Sequence, residues 1–167
     1  MCMQRWQQWW QQFWRAAPAV EVDPLYATVI ATVQRLWPEH YAQPSQSLAQ
    51  RYAKFEAVTW VMSYVLQQLR QLPGDHSGRR QVLVETMLDD FADNLREQGV
   101  SDLRVGPELR KLAAAFNGRE RRYQPLWAVP GQAGLQRLMG QYLKVSVAEA
   151  QALLQQVQRV DFPLPGK

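Results

Sequence analysis

Apolar residues recur along most of this chain at spacings of three and four, the period of an amphipathic helix. No segment alternates apolar with polar as a half-buried strand would. The longest run predicts a helix from Leu48 to Leu72. Phe55, Val58, Met62, Val65, Leu66, Leu69 and Leu72 form one stripe of it, and Trp60, Val61 and Tyr64 a second. A helix apolar nearly all round is covered by others, so this one is expected at the centre. Before it, Asp23-Pro24 reads as an N-cap followed by Pro at the first helical position. That helix runs to about Trp37 on Leu25, Val29, Val33 and Leu36, and Pro38 ends it. Residues 38–47 carry two prolines among small polar residues and read as a loop.

After a turn cluster at Leu72–Gly78, Met87, Leu88, Phe91 and Leu95 line the next helix, with Glu85, Asp89, Asp93 and Arg96 turned away. Gly99 stops it, because glycine takes the left-handed backbone that closes a helix at little cost. Following a link from Val100 to Val105, Gly106 and Pro107 open another helix, with Leu109, Leu112, Ala113 and Phe116 buried. Pro125, Pro130 and Gly131 are expected to break the chain beyond Tyr123, with Trp127 packed between helices. A short helix follows over Gly134–Leu143. Ser146 and Glu149 form a capping box for the last one, through Val147, Leu153, Leu154 and Val157.

The pattern therefore predicts an all-α fold: a single-domain bundle of about six to seven helices around one long central helix, spanning residues 18–160. The tail DFPLPGK, 161–167, is expected to be extended or frayed. Residues 1–17 stand apart. There Trp6, Trp9, Trp10, Phe13 and Trp14 fall on one side of an amphipathic aromatic helix, with glutamines opposite. Such a stripe suits either the headgroup level of a membrane or packing onto the domain. It has no continuous apolar core of the kind a secretory signal needs.

Composition narrows the function more by exclusion than by assignment. A chain of 167 residues and 19.4 kDa is long enough to bury a core, and 47% hydrophobic with 20% charged residues argues against wholesale disorder. A net charge of +4 and pI near 9.5 suit contact with RNA, ribosomes or anionic membrane surfaces. Cys2 is the single cysteine and permits no internal disulfide. Glu85, Asp89, Asp90 and Asp93 cluster on one helix, but a carboxylate-bridged metal site wants Glu-x-x-His pairs from several helices, and His40 and His76 both lie in loops. No nucleophile elbow or phosphate-cradling glycine loop is present. No metal, no cofactor and no catalytic residue is expected.

Two charged features remain. Glu56 stands on the central helix and needs a cationic partner, with Arg51, Lys54 or the Arg110 helix as candidates. Arg110, Lys111, Arg119, Arg121 and Arg122 make the non-buried side of their helix basic. That side is a solvated face, a contact for RNA phosphates, or a surface for acidic groups such as Asp90 and Asp93 or a partner protein.

The stretch LREQGVSDLRVGPELRKLAAAFNGR, Leu95–Arg119, is similar to the signature of the ubiquinol-cytochrome c chaperone family, which reads close to LREMGVGDLxVGKxxKKMAEAFYGR. Leu25-Tyr26 and Lys54-Phe55-Glu56 resemble two earlier family motifs, so the likeness covers roughly residues 24–123. Pro107 stands where the family has a basic residue, and Asn117 where it has an aromatic one. The resemblance implies a non-enzymatic assembly factor for respiratory complex III that binds newly made cytochrome b. Asp90, Gly99, Asp102, Arg110, Lys111 and Arg119 are the expected partner surface. A second assembly factor, the ribosome and peripheral contact with the membrane are further expected partners, and no specific DNA is. The expected location is the cytoplasm, peripheral on the inner membrane, or the mitochondrial inner membrane and matrix in a eukaryote. The alternative is a basic ribosome- or membrane-binding module without chaperone action, which the pI near 9.5 would serve.

Overall fold

A computed structural model describes residues 23–41 and 47–166, and the aromatic stripe from Trp6 to Trp14 lies outside them. The described chain forms helices α1 (Pro24–Leu36), α2 (Leu48–Gln71), α3 (Ser77–Glu97), α4 (Asp102–Trp127), α5 (Ala133–Leu143) and α6 (Val147–Gln158), with a 3-10 turn at Pro38–His40. No strand occurs among the described residues, and the fold is all-α.

Side chains set most of the boundaries. Asp23 caps α1 by accepting from the Leu25 N–H at 2.9 Å, and Arg79 from α3 holds the same oxygen at 2.7 Å. Capping boxes open α2 through Ser47 and Gln50, and α6 through Ser146 and Glu149. At the end of α3, Gly99 takes φ +80°; its N–H donates to the Arg96 carbonyl at 2.9 Å and that of Val100 to Leu95 at 3.0 Å. Those two bonds satisfy carbonyls that the helix end would otherwise orphan.

α4 departs from expectation at both ends. It begins at Asp102, ahead of Gly106, because the Arg104 and Val105 N–H groups already bond the Ser101 carbonyl at 2.8 and 3.1 Å. Pro107 then sits inside the helix and leaves the Leu103 carbonyl without its donor. Leu103 is 91% exposed, so water reaches that region. The helix also continues through Pro125 to Trp127. The extension carries the Trp127 indole onto α2, where its N–H donates to Ser63 Oγ at 3.0 Å and its ring meets Tyr64 at 5.1 Å. Burying that ring outweighs one lost helical hydrogen bond at a solvated end.

α2 is the centre, with every residue from Phe55 to Val61 buried and α1, α4 and α5 packed around it. α3 and α4 form a hairpin on one flank, and α5 and α6 a second pair. The tail is not helical, yet Phe162 and Leu164 are buried, with Phe162 against Tyr64 at 6.0 Å. Apolar residues at every second position share one side of an extended chain, and that pins the tail instead of letting it fray.

Candidate functional site

The first turns of α2 place Ala49, Tyr52, Ala53 and Glu56 on one side at helical spacing, and α6 places Glu149, Ala152, Leu153 and Gln156 likewise. Between these walls lies an open groove of about 1000 Å³. Leu36, Trp37 and His40 close one end, and Leu143, Lys144 and Val145 belong to the α5–α6 side. Alanines keep the walls low, so the space is wide enough for several side chains of a bound polypeptide or ligand.

Its floor is charged. Glu56 is only 7% exposed, and an isolated carboxylate there would be costly. Arg119 from α4 answers it with a forked contact, Nη2 to Oε1 at 2.8 Å and Nε to Oε1 at 3.2 Å. The same guanidinium lies over the Tyr142 ring, 4.4 Å from its centre. The hydrogen bond to Glu56 raises the Arg119 pKa further above its ordinary value. Tyr123 is buried beside this pair, and burial followed by the Glu56 charge pushes its phenol well up, so it stays neutral. Arg122 donates to the Tyr142 hydroxyl at 2.7 Å, fixing the ring from its other end. At the groove's far end His40 stacks parallel on Trp37, and burial lowers its pKa, favouring the neutral imidazole.

The six expected partner residues divide into three settings. Arg119 faces the groove, away from the basic row predicted for it, because the buried Glu56 carboxylate draws it in. Asp90 is also engaged inside: its Oδ2 accepts from the Tyr26 hydroxyl at 2.7 Å and ties α3 to α1. Gly99 and Asp102 form the tip of the α3–α4 hairpin, where Asp102 is exposed and lies 3.5 Å from Arg96 Nε. Arg110 and Lys111 lie on the outer face of α4, Lys111 paired with Glu108 at 3.0 Å. Only Arg119 of the six lines the groove.

Tyr52, Ala152 and Lys144 were not singled out by the sequence pattern. The signal present for Tyr52 was a large aromatic on the outer side of the entry to α2, where it is 55% exposed. Lys144 adopts φ +58° at the end of α5, a left-handed position that the sequence gives no cue to, since glycine is the usual choice there. Among the described residues no group of three His, Cys, Asp or Glu side chains is placed to hold a metal ion, and no helix is long and apolar enough to cross a membrane.

Residues 44–160 match the family model described as Ubiquinol-cytochrome C chaperone. That span contains α2 to α6, hence both walls and the charged floor of the groove. No curated protein and no solved structure matches the chain.

Proposed function

The chain belongs to the ubiquinol-cytochrome C chaperone family, a family of complex III assembly, and on that premise we propose that it holds newly made cytochrome b in the groove between α2 and α6. The observation that carries this is the groove itself: walls built at helical spacing around Ala49, Ala53, Ala152 and Leu153, over a Glu56–Arg119 pair whose carboxylate is buried. A client helix lays an apolar face into such a groove, and the fixed charges below orient its polar groups. The role is to shield and release, and no bond is made or broken in it. Moderate affinity suits a chaperone that must hand its client on.

A tagged full-length chain, crosslinked in source membranes, tests this together with complex III assembly in cells lacking the protein. Wild type should recover cytochrome b. Tyr52→Asp with Ala152→Asp, both at exposed groove positions, should reduce that recovery at least tenfold while keeping the helical circular-dichroism signal. Normal complex III in cells without the protein, with ribosomes or lipids alone recovered, would instead establish the basic-module alternative.

A further inference from the structure

The outward faces of α3 and α4 are predominantly of opposite charge, and at two heights along the hairpin an acid on α3 stands level with a base on α4. Glu85, Asp89, Asp93 and Glu97 follow one another at four-residue spacing along α3, on the side away from buried Leu83, Met87 and Phe91. On α4, Arg104 and Lys111 on one flank and Arg110 on the other are exposed on the side away from Val105, Leu109 and Phe116. No ion pair among the described residues joins the two stripes: Asp93 and Asp102 pair with Arg96, and Lys111 with Glu108.

Heights along the hairpin agree as well. Counting from the hairpin ends of the two helices, Glu97 and Asp102, at about 1.5 Å per residue, Asp89 and Arg110 both stand at about 12 Å, and Glu97 and Arg104 lie within about 3 Å of each other. Val82, an apolar residue 46% exposed on the acidic stripe, stands at about 22 Å, level with Gly118 at about 24 Å. Gly118 is mid-helix, has no positive φ and has nothing within 4 Å of where a Cβ would sit, so no contact within the chain requires a glycine there.

We infer that this hairpin face is a self-association surface, on which a second copy docks about a two-fold axis parallel to the helices. That operator sets α3 of each copy on α4 of the other, so Asp89 meets Arg110, Glu97 meets Arg104, and Val82 enters the gap above Gly118. A two-fold axis across the helices would set acid against acid. Nucleic acid or an anionic membrane matches the α4 stripe alone and is repelled by the acidic stripe beside it, whereas a second copy satisfies both. The contacts are rim-like and exposed, so association is weak and falls with salt.

Sedimentation equilibrium of the full chain at about 50 mM and about 500 mM salt tests this independently of any client. Dimer at low salt and monomer at high salt is expected. Arg104→Glu with Arg110→Glu, and separately Asp89→Arg with Glu97→Arg, should each weaken self-association at least tenfold with unchanged helicity. Mixing the two variants should restore a one-to-one heterodimer, since each then offers the charge the other lacks. Wild type that stays monomeric at low salt overturns the inference, as does a dimer indifferent to both charge swaps. Salt-sensitive capture of RNA or anionic vesicles by a monomer would do so too.

Discussion

Arg119 and Arg110 stand on the same helix about two and a half turns apart, yet their surroundings differ in kind. Arg119 reaches into the bundle, bonds a carboxylate that is 7% exposed and stacks on Tyr142. Arg110 lies exposed on the outer face, without an ion pair among the described residues. In the first setting the carboxylate is buried, so losing its partner strands a charge. In the second, water already solvates the guanidinium, and its removal costs little within one chain. The contrast teaches that one run of basic residues has two jobs: Arg119 holds the groove together, and the outward cations are available to something else.

The sharpest way to break this contrast is to truncate each arginine. Arg119→Ala should destabilise the fold by about 3 kcal/mol, because Glu56 is left buried and unpaired. Arg110→Ala in dilute solution should change stability by less than about 0.5 kcal/mol. Urea denaturation reads both, and equal midpoints would remove the distinction. Replacing the pair together, Glu56→Leu with Arg119→Met, should recover most of the lost stability, since no orphaned charge then remains.

Gly99 offers a second comparison, between backbone and side-chain effects at the hairpin tip. Nothing lies within 4 Å of a Cβ built there, so Gly99→Val meets no clash, only the cost of holding φ +80° with a β-branched residue. A loss of about 1–2 kcal/mol is expected, smaller than that of Arg119→Ala. An unchanged thermal midpoint would mean that the turn tolerates another geometry.

The helices were legible in the sequence because their apolar period and caps are local: Asp23 with Pro24, Ser146 with Glu149, and Gly99 each act within a few residues. The start of α4 and its passage through Pro125 were not, because a proline's cost depends on whether water or packing compensates for it. Here exposure at Leu103 and burial of Trp127 decide that, and both are tertiary facts. The same limit applies to the site. Glu56 could be recognised as needing a cation, but the choice of Arg119 over Arg51 or Lys54 requires α4 to cross α2 at that height. The groove joins residues from α2 and α6, nearly a hundred positions apart in the chain, and no spacing rule reports such a meeting.

The smallest effect tests the acidic side of the outer face. Partial burial, then the neighbouring Asp93 and Glu85 carboxylates, push the Asp89 pKa up to about 6, above the roughly 3.9 of an unfolded chain. The folded state therefore holds this proton more tightly than the unfolded state does. Below about pH 4 both states are protonated and the folded form carries no penalty. As pH rises through about 6, folded Asp89 must ionise among like charges, and stability falls. The side chain is exposed, so solvent screens most of this and the change stays within about 0.5 kcal/mol. Asp89→Asn should match wild type at pH 4 and exceed it slightly at pH 7.5 in dilute solution. Equal difference at both values would show that the crowding is not electrostatic. At concentrations where copies associate the sign should reverse, because Arg110 of the second copy then neutralises the carboxylate that asparagine has removed.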